Sequence, residues 1–404
     1  MDRPSAGGGS RGRVEQALHA VVLPPGPRLT EAVLKALSGE GPAVLPLSPA
    51  LPAAALRETL AALRPTHVAT EDGVRRHAGG AGARDGTAVV IATSGSTGTP
   101  KGVELRASAL HASADASLRR LGAGPGERWL CCLPPSHVSG LQVLVRSLRA
   151  GTDPIVHERF DAARVARSGA AHVSLVPTQL RRLLDLGADL SAFRTILLGG
   201  AAAPPGLLDA ARTRGARVVT TYGMSETSGG CVYDGLPLSG VGLRIGADGR
   251  IMLSGPTLFS GYRAAPGAHA SPVSGGWFRT SDLGELVDGR LRVLGRADDV
   301  INTGGEKVVA ARVGEVLARH PSVAEVAVVG RPDAEWGERV VAVVVPAGES
   351  PTLAALRDHA RAELPSHALP RELVLTAALP LLPNGKTDLA ALRRTPRHLP
   401  QGAR

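Results

Sequence analysis

Thr93-Ser94-Gly95-Ser96-Thr97-Gly98-Thr99-Pro100-Lys101-Gly102-Val103 gathers hydroxyls, glycines and one lysine directly after an apolar run, Ala88-Val89-Val90-Ile91-Ala92. Glycines let successive backbone N–H groups turn toward one point, hydroxyls add donors, and the lysine adds a full positive charge. Together they form a cradle for phosphate oxygens. The motif is not the common P-loop, in which Gly-Lys-Ser/Thr closes onto a helix, because Gly102 follows Lys101. Any five of these residues alone would be a surface turn. The whole stretch, placed after a buried-type strand, points to phosphate.

A second stretch, Tyr222-Gly223-Met224-Ser225-Glu226-Thr227, follows the β-branched run Arg217 to Thr221. A tyrosine there can stack on adenine, Ser225 can reach a phosphate, and Glu226 can hold Mg²⁺ beside it; the plain alternative is a helix start capped by Ser225. Asp282, in Phe278 to Glu285, is either a turn aspartate or a carboxylate that accepts both hydroxyls of a ribose. Lysine occurs only at Lys35, Lys101, Lys307 and Lys386 in an arginine-rich chain. Where arginine is the default cation, a lysine marks a need for a compact point charge.

Thr93 to Val103 resembles the phosphate loop of the adenylate-forming enzymes: acyl-CoA synthetases, luciferases and peptide-synthetase adenylation domains. Tyr222 to Glu226 resembles the family's Tyr-Gly-x-Thr-Glu motif, with Ser225 for Thr. Asp282 lies where the family has Thr-Gly-Asp, with Ser281 for Gly. The resemblance implies nucleotide contacts from Thr93, Ser94, Gly95, Ser96, Thr97, Gly98, Lys101, Tyr222, Gly223, Ser225, Asp282 and Arg296. Gly199-Gly200-Ala201 would lie against the adenine. Glu226 would be the metal ligand and Asp298 the pivot between lobes, and Gly304-Gly305 would line the path of a pantetheine thiol. Lys386, in Pro383-Asn384-Gly385-Lys386, matches the turn that carries the family's catalytic lysine; without the resemblance it would be a solvent lysine after a turn. ATP, Mg²⁺ and CoA are the implied co-substrates and cofactors.

Leu133-Pro134-Pro135-Ser136-His137-Val138-Ser139-Gly140-Leu141 and Ser174 to Leu180 look most like the o-succinylbenzoate–CoA ligases of menaquinone synthesis. Those enzymes usually carry a bulky residue before the histidine, where this chain has Ser136. His137, Val138 and Gly140 are the implied acyl-pocket residues; the plain reading of His137 is a satisfied core histidine. The same chemistry on another acid, loading of a carrier-protein thiol, and nucleotide binding without turnover are the alternatives.

The chain has 404 residues, 43% of them hydrophobic, enough for a large core and more than one lobe. No apolar run approaches the ~18 residues of a membrane span, and residues 1–13 read as a polar, Gly-rich disordered tail without a signal-peptide core. Three cysteines, two of them adjacent, give no zinc spacing and fit a reducing cytoplasm. The net charge of +10 raises nucleic acid as a partner, but aromatics at 2% are too few for a base-stacking platform. The partners that the resemblance implies are small molecules: a carboxylic acid, ATP and CoA.

The elements that must position these residues alternate strand and helix from the start. Val14 to Val22 and Leu29 to Leu37 have helical spacing, Ala43 to Leu47 reads as a strand, Ala53 to Leu63 as a helix and Thr66 to Ala69 as a strand. A helix from about Ala107 to Leu121 follows the phosphate loop. Strands Trp129 to Leu133, Pro154 to Val156, Ala171 to Val176, Thr195 to Leu198 and Arg217 to Thr221 alternate with helices, which predicts a parallel sheet with ligands at the carboxyl ends of its strands. From about 236 to 295 short strands and Asp-Gly turns predict a β-rich subdomain. A small α+β unit follows, with a helix from Val308 to Arg319, strands Val323 to Val329 and Val340 to Val345, a helix from Leu353 to Leu364 and a strand Glu372 to Leu375. The expected fold is α/β: an N-terminal AMP-binding domain over 14–297, a mobile α+β C-terminal lobe over 298–392, and a tail over 393–404.

Overall fold

The computed structural model describes residues 16–94, 100–204, 206–263, 273–381 and 387–394, and only the backbone of Ser94. The expected α/β class holds. The chain forms two compact units: Met1–Phe160 with Gly223–Cys231 and Pro256–Ser271, and Asp161–Tyr222 with Val232–Gly255 and Pro272–Arg404.

The first unit is built on a seven-stranded sheet. Its strands lie in the order Gly261–Arg263, Pro100–Arg106, Thr87–Ser94, Ala43–Leu47, Leu18–Val22, His67–Thr70 and Gly73–Arg76. The four strands from Thr87–Ser94 to His67–Thr70 run parallel, and the outer ones are antiparallel. Leu18–Val22 corrects the helical reading of Val14 to Val22. It sits between two parallel neighbours with Leu18, Ala20, Val21 and Val22 buried. A strand covered on both faces shows no two-residue alternation, and its apolar positions then mimic a helical period. The helix Pro27–Ser38 begins with proline in its first turn and ends at Gly39 in the left-handed region.

The phosphate loop does not lead straight into a helix. It joins Thr87–Ser94 to an antiparallel partner, Pro100–Arg106, and only then does the helix Ala107–Leu121 begin. The buried Glu104 inside that second strand hides it from a hydrophobicity reading. Helices Ala107–Leu121 and Val138–Arg149 and the strand pair Trp129–Cys131 and Ile155–Val156 complete the unit.

In the second unit His172–Leu175, Thr195–Leu198 and Val218–Met224 run parallel and in register, Leu198 lying opposite both Leu175 and Thr220. The β-rich stretch forms Gly242–Ile245, Arg250–Ser254, Trp277–Val287 and Arg290–Arg296. The last two are joined through Asp288 and Gly289, both at positive φ (49° and 73°), the two-residue turn that Asp-Gly favours. The final sheet orders Glu306–Val309, Val300–Thr303, Gly337–Pro346 and Val323–Asp333, with Glu372–Leu375 parallel to Gly337–Pro346. Its core is the apolar set around Val316, Val340, Val344 and Leu356. The helix read over Val308 to Arg319 is shorter, Ala310–Leu317, because Val308 and Val309 belong to the preceding strand. Among the described residues no helix is long and apolar enough to cross a membrane.

Candidate active site

Gly95, Ser96, Thr97, Gly98 and Lys386 lie outside the described residues. The rims of the phosphate loop are described. Thr93 and Lys101 are paired across the hairpin, and the Thr93 hydroxyl donates to the Lys101 carbonyl at 3.3 Å. Gly102 is fixed by packing: a Cβ there would fall 2.8 Å from a Val90 methyl carbon.

Still in the first unit, Ser225–Thr227 form one 3₁₀ turn that carries Glu226. A buried polar set fixes this turn. The Thr227 hydroxyl donates to the Gly229 carbonyl at 2.7 Å and accepts from the Met224 N–H at 3.0 Å. Ser228 closes the turn at φ 54°, a conformation uncommon outside glycine. Its carbonyl accepts from Gln142 Nε2 at 2.7 Å and from the Ser113 hydroxyl at 3.0 Å, and its own hydroxyl donates to the Thr257 carbonyl at 2.8 Å. Ser228 is thus held in a sparsely populated conformation by bonds to its carbonyl and its hydroxyl, and the turn that carries Glu226 is fixed with it. Gly223 gives the chain room here, since its Cβ would fall 2.1 Å from the Gly229 carbonyl oxygen.

Glu226 is half-buried, and its Oε1 accepts from the Tyr262 hydroxyl at 2.8 Å; among the described residues Oε2 accepts no bond. The Lys101 ammonium lies 5.8 Å from the centroid of the Tyr262 ring. Lys101, Tyr262 and Glu226 thus form one constellation, of which the sequence reading named the first and last. Tyr262, one of three tyrosines in 404 residues, lies in no local motif that would mark it. One carboxylate with an open oxygen suits Mg²⁺, which is bound by one or two carboxylates together with substrate phosphates.

His137 is exposed and precedes the helix Val138–Arg149, whose first turn holds Val138 and Gly140. The bareness of Gly140 is taken up by the chain itself: a Cβ would sit 2.4 Å and 2.3 Å from the Leu133 and Pro134 carbonyl oxygens.

In the second unit Gly199 and Gly200 follow the strand Thr195–Leu198, and Tyr222 lies toward the carboxyl end of its parallel neighbour, Val218–Met224. The Gly199 N–H donates to the Leu175 carbonyl at 3.1 Å, and its Cβ would fall 2.3 Å from Thr221 Oγ1. Gly200 has φ 83°. Beyond them lies a cavity of about 180 Å³, walled by Leu198, Ala201, Ala202, Ala203, Tyr222 and Val293 among others. Small side chains on one wall and a phenol on another make a slot for a flat ring.

The Tyr222 hydroxyl donates to Asp282 Oδ2 at 2.8 Å, and Arg296 Nη1 lies 3.6 Å from Oδ1. Asp282 falls in the register shift between its strand and Arg250–Ser254, where Arg250 pairs with Leu283 but Met252 with Arg279, and such a bulge re-aims a side chain. Its N–H is held by the Thr280 hydroxyl at 3.0 Å. Arg296 also donates from Nη2 to Asp298 Oδ2 at 2.7 Å. Burial disfavours the Arg296 charge, but the carboxylates of Asp298 and Asp282 outweigh it and hold its pKa above the ordinary value. Tyr222, Asp282, Arg296 and Asp298 are therefore one connected chain. Gly304 and Gly305 form the two-residue loop of the hairpin Val300–Thr303 and Glu306–Val309, with φ 60° and 82°. A Cβ on Gly304 would fall 2.7 Å from the Trp336 ring, whereas Gly305 faces open space.

Two family models match the chain, AMP-binding enzyme over residues 79–263 and AMP-binding enzyme C-terminal domain over residues 312–386. The chain belongs to the AMP-binding enzyme family, the adenylate-forming class that its motifs resemble. A probable 2-succinylbenzoate–CoA ligase of Mycobacterium tuberculosis is 48% identical over 330 residues, 77% of this chain and 85% of that protein. The o-succinylbenzoate CoA synthetase of Bacillus subtilis, solved with the acyl-adenylate intermediate OSB-AMP, is 28% identical with a TM-score of 0.82, covering 95% of this chain and 89% of that one. Solved with ATP and magnesium ion, it gives a TM-score of 0.80 at 28% identity, covering 94% and 90%. An amide bond synthetase of Marinactinospora thermotolerans is 28% identical with a TM-score of 0.83, covering 95% and 90%.

Proposed function

We propose that the chain is an acid–CoA ligase that activates o-succinylbenzoate as its acyl-adenylate and transfers the acyl group to CoA, a step of menaquinone synthesis. The observation that carries the nucleotide half is the Tyr222–Asp282–Arg296 chain beside the alanine-walled slot. The 48% identical relative carries the choice of acid.

In this reading the adenine enters the slot between Ala201 and Tyr222, against the Gly199-Gly200 segment. Asp282 accepts the ribose hydroxyls, its orientation set by Tyr222 and Arg296. The loop hydroxyls and Lys101 hold the leaving phosphates, and Glu226 would hold Mg²⁺, whose positive charge would offset the charge developing on them. Lys386 stabilises the negative charge that builds on the oxygens around the α-phosphorus as the carboxylate attacks, and holds the two reactants in line. His137 and Val138 line the acyl pocket. The lobe over 298–392 then turns about Asp298, exchanging Lys386 for the Gly304-Gly305 loop along which the CoA thiol enters. A cytoplasmic location belongs to the same reading.

The fold is shared with an amide bond synthetase, and fold alone does not select the acceptor. Acid-dependent exchange of labelled pyrophosphate into ATP, run with o-succinylbenzoate and a panel of aryl and fatty acids, tests the first half-reaction. Exchange led by o-succinylbenzoate is the expected outcome. Exchange led by another acid reassigns the substrate, and ATP binding without exchange for any acid removes the ligase reading.

A further inference from the structure

We propose that Tyr262 is a positioning residue for the metal-bound phosphates: its hydroxyl aims the Glu226 carboxylate, and its ring sets the Lys101 ammonium at a fixed spacing from it. The inference rests on the reading that Glu226 holds Mg²⁺.

A glutamate side chain turns freely about three bonds, and ordering it costs conformational entropy when the ion binds. Here that cost is met in advance. Tyr262 donates to Oε1 at 2.8 Å, among the described residues Oε2 accepts no bond, and the Phe259 N–H donates to the Glu226 carbonyl at 2.9 Å. The phenol ring is itself packed in place. Its backbone lies in the short strand Gly261–Arg263, Tyr262 opposite Val103, two residues beyond Lys101. Phe259 packs against the ring at a centroid distance of 5.0 Å and an interplanar angle of 62°. Arg263 pins the strand from the other side, donating to the Gly82 carbonyl at 2.7 Å and the Arg64 carbonyl at 3.0 Å. The ring faces Lys101 at 5.8 Å, inside the ~6 Å range over which an aromatic face attracts a cation. One side chain therefore spaces the two groups that must grip the same phosphates.

Tyr262→Phe keeps the ring against Lys101 and Phe259 and removes only the hydroxyl. Calorimetric titration with ATP, with and without Mg²⁺, reads the consequence directly. The Kd for Mg·ATP is expected to weaken about tenfold, the lower end of what losing a hydrogen-bonding partner of a metal ligand costs. The Kd for metal-free ATP should stay within about twofold, the scatter between independent sites. Half-saturating Mg²⁺ in pyrophosphate exchange should rise in parallel, and in a Glu226→Gln background Tyr262→Phe should add nothing. Tyr262→Ala, which also removes the ring, should weaken metal-free ATP several-fold through Lys101, the order of a ~1 kcal/mol cation–π contact. Equal weakening of both forms of ATP by Tyr262→Phe, no weakening at all, full additivity with Glu226→Gln, or a wild type whose ATP affinity is indifferent to Mg²⁺ would each overturn the proposal. Failure of the ligase reading shows separately, as a wild type that binds Mg·ATP but exchanges pyrophosphate with no acid.

Discussion

The hydroxyl of Tyr222 and the carboxylate of Asp282, 60 residues apart in sequence, meet at 2.8 Å, with Arg296 on the second carboxylate oxygen at 3.6 Å. The aspartate is held from both sides before any ligand arrives. Asp282→Asn should lower ATP affinity about ten- to hundredfold, from the ~1.5–3 kcal/mol attached to hydrogen bonds with a charged group. The wild type should also discriminate against 2′-deoxy-ATP, and the variant should lose most of that preference. Calorimetry with the two nucleotides measures both.

Lys386 is assigned by motif, and its test separates the two half-reactions. Lys386→Ala should reduce acid-dependent pyrophosphate exchange at least ~10²-fold, the scale of removing one transition-state donor. Thioester formation from supplied acyl-AMP and CoA should largely survive. Equal loss in both halves would contradict the assignment.

Beneath the Lys101 hairpin Glu104 is 2% exposed, its Oε1 3.4 Å from Arg263 Nη1 and its Oε2 3.3 Å from Arg84 Nε. The Arg84 approach has ion-pair distance without hydrogen-bond geometry, so Arg263 is the partner that matters. Removing one member of a buried pair strands the other charge, at a cost of about 3–5 kcal/mol. Glu104→Ala should therefore lower the urea midpoint strongly, whereas Arg84→Ala, whose side chain is half exposed, should change it little.

Cys131, Cys132 and Cys231 are buried, and burial pushes each thiol up to about 12 from an ordinary 9.0. In the native protein all three should resist alkylation at pH 8 and react only once urea unfolds the chain. Above pH 9 the unfolded chain loses these protons and the folded one keeps them. The stability they contribute is complete below pH 9 and falls as pH rises toward 12, by up to about 1.4 kcal/mol per pH unit per thiol. Urea melts of the wild type and Cys231→Ala at pH 8, 9 and 10 measure the difference: the variant's loss between pH 9 and 10 should be the smaller.

Several elements were legible in the sequence because one signal decided each. The helix Ala53–Leu63 ends where Arg64-Pro65 forbids continuation, and Thr195–Leu198 is a short apolar run ending in glycines. Leu18–Val22 was misread because burial on both faces erases the alternation that marks a strand. Pro100–Arg106 was missed because it carries a buried glutamate, Glu104, whose partner, Arg263, is remote in sequence. The site divides in the same way. Tyr222, Glu226 and Asp282 sit in local motifs, but nothing within a few residues of Tyr262 announces that it touches Glu226 and faces Lys101. The glycines of Gly304-Gly305 were legible, but the turn itself and the Trp336 ring account for much of their need.

The most direct test incubates the purified protein with ATP, Mg²⁺, CoA and o-succinylbenzoate, with benzoate and a fatty acid as parallel substrates, and identifies products by mass. AMP, pyrophosphate and o-succinylbenzoyl-CoA in equal amounts, with little thioester from the other acids, is the expected result. ATP turnover with no o-succinylbenzoyl-CoA, or a better thioester yield from another acid, would contradict it.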